Sequence, residues 1–121
     1  MLIKQLHKNF SICKLQSVSD INYLGEFVFV GKTDDEISLV CETSQIPDST
    51  IERDDNWLGL KIVGQLDFSL IGILSKITSV LAENKIGVFA VSTYNTDYIF
   101  VKAFNYQNAV NALRNADYEI D

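Results

Sequence analysis

The sequence predicts an α+β fold whose second half runs β-α-β-β-α-β. Three observations carry that expectation. Residues 57–63 alternate with the period of a strand, and residues 70–81 change to the period of a helix. Residues 88–94 and 98–104 are then two β-branched and aromatic runs divided by Asn95, Thr96 and Asp97.

The first half is shorter and more irregular. Strands are expected at 10–15, 26–32 and 37–41, with one helical turn at 20–24 and a polar loop after the third strand. Pro47, the only proline, stands with Ser44, Asp48, Ser49 and Thr50, which marks residues 43–56 as a linker.

In the second half, Leu58, Leu60 and Ile62 share one face of the first strand, and Trp57, Lys61 and Val63 the other. After a loop at 64–69, Leu70, Ile73, Leu74, Ile77, Val80 and Leu81 form one helical stripe. Asp67 or Ser69 can cap that helix, and Asn84 with Gly87 supplies a stop. The hairpin follows. A second helix has Tyr106, Ala109, Val110, Leu113 and Ala116 as its apolar stripe and Asn105 as its cap, and residues 118–120 close as a short strand. This is the split-βαβ order of the ferredoxin-like fold. Residues 27–40 align with 88–101 at a constant offset without a gap, both strand, acidic turn, strand, which we take as a degenerate internal repeat.

Composition narrows the function. The chain has 121 residues, 47% of them apolar, enough for one core or for two small half-domains sharing one. A net charge of −6 opposes the phosphate backbone of nucleic acid and anionic membranes alike. Residues 1–15 interleave apolar side chains with Lys4, His7, Lys8 and Lys14, unlike a signal peptide or a membrane span, so a cytoplasmic location is expected. Cys13 and Cys41 lie inside apolar runs without a CxxC partner and read as reduced, buried strand residues.

Signals for catalysis are missing. His7 is the only histidine and has no thiols or carboxylates at ligand spacing, so no metal or other cofactor is expected. There is no nucleophile motif, P-loop or GxGxxG. The pairs Asp34-Asp35 and Asp54-Asp55 read as solvated turn residues rather than as acid and base, so the chain is not expected to be an enzyme.

Two segments have the chemistry of a binding site. Residues 66–72 place Asp67 and Ser69 in a strand-to-helix loop and Gly72 in the first helical turn, where free N–H groups favour a carboxylate. Residues 92–97, Ser-Thr-Tyr-Asn-Thr-Asp, form a dense polar cluster at a hairpin tip. As structural features alone, the first residues cap a helix and the second turn the chain.

Together, Leu66-Asp67-Phe68-Ser69-Leu70-Ile71-Gly72-Ile73-Leu74 and the segment from Ile86 to Tyr98 resemble an ACT domain of the small bacterial tandem-ACT proteins. They are also similar to the ACT repeats of animal cytosolic arginine sensors and, more distantly, to the regulatory domains of aspartokinases. The resemblance implies a tandem chain, with a degenerate N-terminal ACT-like half at 1–56 and an ACT domain at 57–121. It further implies a non-catalytic regulatory module that binds an amino acid and assembles as a homo-oligomer, a dimer. Carried onto matching positions, Asp67, Phe68, Ser69 and Gly72 form one wall of the ligand site, and Ser92, Thr93, Tyr94 and Asp97 the other. Asp97 facing the ligand side chain favours a cationic or hydroxyl-bearing amino acid. The alternative is a homo- or hetero-oligomeric interaction protein with no ligand; an RNA-binding ferredoxin-like domain fails on charge and on the lack of a basic-aromatic strand motif.

Overall fold

The computed structural model describes residues 2–63 and 72–121. The chain divides into two compact units, Met1–His7 with Leu58–Asp121, and Lys8–Trp57. Among the described residues, seven strands and two helices make an α+β fold: β1 (Leu2–Leu15), β2 (Val28–Lys32), β3 (Ile37–Glu42), β4 (Thr50–Val63), α1 (Ile73–Glu83), β5 (Phe89–Ser92), β6 (Asp97–Lys102), α2 (Tyr106–Asn115) and β7 (Glu119–Ile120). Strands β1 and β4, 14 residues each, contribute one half to each unit.

In the larger unit the strand order is β5-β6-β4-β1-β7. The expected β-α-β-β-α-β succession is present as β4 to β7. Its closing strand, however, does not lie beside β4: β7 pairs in parallel with the chain's first strand, Leu2 opposite Glu119 and Ile3 opposite Ile120. Strands β5 and β6 are antiparallel, with Ser92 opposite Asp97 at the turn.

Both helices cover the same face of the sheet. Leu60 and Ile62 of β4 and Ile99 and Val101 of β6 pack with Ile77 and Leu81 of α1 and with Ala109, Val110 and Leu113 of α2. Ile73, Leu74 and Val80 lean against this core as their helical spacing requires. Leu70 of the expected stripe lies outside the described residues. Ala116 does not join the core: it is the exposed residue at the end of α2, and Ala112 is buried instead.

Each helix ends in the same device. Ile86 N–H bonds Leu81 O at 3.0 Å and Lys85 N–H bonds Ala82 O at 2.9 Å, with Lys85 left-handed at φ 60°. Tyr118 to Leu113 and Asp117 to Arg114 repeat it after α2, with Asp117 at φ 72°. Asn84 therefore ends α1 as expected, but Lys85 rather than Gly87 takes the left-handed position. Asn105 precedes α2 without a side-chain cap bond.

In the smaller unit the strand order is β2-β3-β1-β4. It contains no α-helix, only a 3₁₀ turn at Thr43–Gln45. Cys13, Leu15, Ile21, Leu39 and Cys41 form its core, with Val28, Ile37 and Ile46 packed against them. The expected helical turn at 20–24 is replaced by side-chain-supported turns: Asn22 Oδ1 accepts from Leu24 N–H at 3.0 Å, and Asn22 Nδ2 donates to Gln45 Oε1 at 2.6 Å.

The expected linker at 43–56 is largely structure. Strand β4 begins at Thr50, and its polar residues have defined partners. Ser11, fully buried, donates to Asp55 Oδ1 at 2.6 Å and shares a 2.9 Å hydroxyl contact with Thr43, while Arg53 clamps both oxygens of Asp55. A buried hydroxyl without such partners would be costly, so a polar β4 suits this sheet. The first strand likewise starts at Leu2 rather than at residue 10.

The two hairpins correspond in geometry, one residue away from the alignment expected from sequence. Matching positions lie sixty apart: Thr33 with Thr93, Glu36 with Thr96, Glu42 with Lys102. Phe29 pairs with Val40 as Phe89 pairs with Phe100. Each hairpin runs into a 3₁₀ turn, Thr43–Gln45 and Ala103–Asn105. Because a one-residue slip exchanges the faces of a strand, apolar runs buried on both sides do not mark the register in sequence.

The two cysteines are free and buried. Burial pushes the Cys41 thiol up from its ordinary 9.0 to about 11, with Cys13 and Glu42 acting in the same direction. Burial, with Asp121 nearby, pushes the Tyr106 phenol from 10.0 to about 12. Both acids are held neutral by the fold, so the unfolded chain loses their protons first; their contribution is complete below the unfolded values and is lost as pH rises toward the folded ones. The urea midpoint should fall as pH is raised from 9 to about 11, and more gently in Cys41→Ala. Equal slopes in the two proteins would contradict this.

Candidate functional site

The tip of the β5–β6 hairpin gathers half of the residues expected to bind ligand. Thr93 N–H and Thr93 Oγ1 both donate to Thr96 O, at 2.9 and 2.7 Å, closing the turn. Ser92 and Asp97 face each other across its base. Ser92 and Thr93 are exposed, Tyr94 is 86% exposed, and Asp97 is half-buried.

Thr96 is the inward member of the tip. It is only 7% exposed, and its Oγ1 donates to the carbonyl of Ile62 in β4. That bond ties the turn to the last two residues of β4, where residues 64–71 follow in the chain. Sequence reasoning treated Thr96 as a turn residue.

Beside the tip, Lys61 Nζ lies 5.9 Å from the centre of the Tyr98 ring, a cation–π contact on the sheet face away from the helices.

Gly72, the fourth residue expected in the first wall, immediately precedes α1 with φ 86° and ψ 5°. Its carbonyl accepts from Lys76 N–H at 2.9 Å, so it starts the helical ladder. Among the described residues a Cβ added there would meet nothing within 4 Å, and the left-handed backbone is itself a reason for glycine. Asp67, Phe68 and Ser69, and the capping role expected of Asp67 or Ser69, lie outside the described residues.

Other kinds of site are weakly represented. Among the described residues no three His, Cys, Asp or Glu side chains are grouped to hold a metal ion, and no helix is long and apolar enough to cross a membrane. Two open grooves of about 300 and 420 Å³ flank Pro47 in the smaller unit. They contain none of the residues expected to bind ligand.

The split-βαβ succession, with two helices on one sheet face, defines the larger unit as an α+β domain of the ferredoxin-like type. The ACT domain model matches residues 52–115, more than half of the chain, and the chain belongs to the ACT domain family. A crystal structure of an Agrobacterium tumefaciens protein is similar at 31% identity, with 99% of this chain and 91% of that one covered and a TM-score of 0.87. Similarity extends in fold to the regulatory subunit of aspartate kinase from Thermus thermophilus, at 9% identity over 90% of this chain and 93% of that one, TM-score 0.62. It extends also to Clostridium acetobutylicum aspartate kinase, described as an allosteric enzyme, at 19% identity over 94% of this chain and 33% of that one, TM-score 0.68. No curated protein sequence matches the chain.

The left-handed Gly72 gives a direct test. Gly72→Ala should lower unfolding stability by about 1–2 kcal/mol through backbone strain alone. Gly72→Asn, whose side chain tolerates this conformation, should cost less, and urea unfolding of the three proteins measures the difference. An Ala variant as stable as the parent protein would contradict the backbone argument.

Proposed function

We propose that this chain is a non-catalytic regulatory module that binds a free amino acid at the tip of the β5–β6 hairpin. The observation that carries the reading is a dense polar tip on an anchored turn: Ser92, Thr93 and Tyr94 exposed, Asp97 at the strand start, and Thr96 tied to Ile62. Such a rim offers hydroxyls to a carboxylate and a carboxylate to an ammonium or guanidinium group. In this proposal Asp67, Phe68, Ser69 and Gly72 supply the remaining ligand contacts.

Membership in the ACT family and similarity to a regulatory subunit of aspartate kinase support a regulatory rather than a catalytic role. The sixty-residue correspondence of the hairpins supports a tandem chain, with 1–56 a degenerate half and 57–121 the ACT domain proper. The proposal places the protein in the cytoplasm. It also pairs two copies of the chain, with β2 and β5, each the last strand at one end of its unit's order, available for a further strand.

Isothermal titration against each proteinogenic amino acid tests the function. Binding is expected for a cationic or hydroxyl-bearing member of the set, and Asp97→Ala should weaken it by roughly tenfold, as loss of a charge-assisted hydrogen bond does. Flat titrations with every amino acid at millimolar concentration would remove the ligand-binding reading.

A further inference from the structure

The two hairpins share one backbone plan and differ in what their turns can hold. Thr33 N–H donates to Glu36 O at 2.9 Å, as Thr93 N–H donates to Thr96 O at 2.9 Å. The flanking strands β3 and β6 have the same sequence of exposed and buried positions. The difference is in the side chains.

At the fourth turn position, Thr96 turns inward and bonds the Ile62 carbonyl, whereas Glu36 is exposed and accepts from Ser38 Oγ at 2.7 Å. The position of Asp97 is taken by Ile37, which packs against the core of the smaller unit. The positions of Tyr94 and Asn95 are taken by Asp34 and Asp35, so the second turn presents three consecutive carboxylates.

These differences have opposite consequences for a zwitterion. Three adjacent exposed acids can attract its ammonium group but repel its carboxylate, and Ile37, packed on the core, removes the carboxylate that Asp97 holds at the strand start. At the other tip a buried hydroxyl bond restrains the turn before any ligand arrives, which reduces the ordering cost of binding.

Resting on the proposed amino-acid-binding function, we infer that only the hairpin of the larger unit is competent. The chain binds one amino acid, and Thr96 is the positioning residue that holds the site in shape without touching the ligand.

The experiment is calorimetric titration of the full chain with each proteinogenic amino acid, repeated on Thr96→Val, Thr96→Ser and Thr33→Val below their melting temperatures. The expected stoichiometry is one ligand per chain. Thr96→Val should weaken binding by about fivefold to tenfold, Thr96→Ser should restore it to within about threefold, and Thr33→Val should leave it unchanged. The Ser rescue separates positioning from general loss of stability. Stoichiometry and Thr33→Val decide the single-site inference even where Thr96→Val does not fold.

Two ligands per chain overturn the inference and leave the proposed function intact. So does a single ligand lost in Thr33→Val, or one whose affinity Thr96→Val leaves unchanged. Absence of binding by any amino acid overturns both.

Discussion

The structure depends on the division of two long strands. Neither unit has a complete sheet without halves of both β1 and β4: one order is β2-β3-β1-β4 and the other β5-β6-β4-β1-β7. Strand β7 shows the consequence most clearly. It is two residues long, and its recorded partner is Leu2–Ile3 from the opposite end of the chain. The C-terminus is held there by side chains as well, with Gln5 Nε2 donating to the Asp121 carbonyl at 2.6 Å and Tyr106 donating to Gln5 at 2.9 Å. A segment beginning at residue 57 lacks the strand on which its last strand pairs. Each long strand contains one left-handed residue, His7 and Asn56, at or next to the point where it passes from one unit to the other.

Against that shared framework the two units are stabilised by different means. In the larger unit, two amphipathic helices bury Ile77, Leu81, Val110 and Leu113 against strand residues that include Leu60, Ile62, Ile99 and Val101, and burying each large apolar side chain contributes about 1.5–3 kcal/mol. The smaller unit has no helix to bury. Its main cluster joins Cys13, Leu15, Ile21, Leu39 and Cys41, Phe10 and Val40 are buried as well, and polar contacts supply further order. Ser11 is fully enclosed yet satisfied by Asp55 and Thr43. Lys8 reaches both Glu26 and Glu42, at 3.3 and 3.5 Å. Buried polar groups specify geometry when every partner is in place, which suits a unit too small to rely on apolar packing.

The legible parts of the sequence were those where one face alone is buried. Leu60 and Ile62, Ile77 and Leu81, and Ala109, Val110 and Leu113 announce their periods and lie in the core. Strand pairing with polar side chains is not legible in this way. Residues 50–56 look like a linker because their order comes from backbone ladders and from Ser11, forty-four residues away from Asp55. Asn84 ends α1 as its sequence suggests, but the left-handed position after it falls on Lys85 and not on Gly87, a conformation for which glycine is the usual signal. At the site, the composition of residues 92–97 made the polar tip visible. The inward turn of Thr96 was not, because its partner is a backbone carbonyl that carries no residue identity.

The hairpins show how far a common backbone underdetermines chemistry. Both turns place a threonine first, close through its N–H, and lead into a strand with the same burial pattern. That geometry alone does not separate the tip proposed to bind ligand from the other one. The two differ at Thr96 against Glu36 and Asp97 against Ile37, where one turn directs a hydroxyl inward and keeps a carboxylate at its base, and the other exposes a carboxylate and packs an apolar side chain at its base. A fold supplies positions, and chemistry is assigned to them residue by residue. The asymmetry of the cores also favours the proposed tip, since the unit with the polar tip is also the one with two helices packed over a continuous core, and rigid elements hold a site more precisely than loops do.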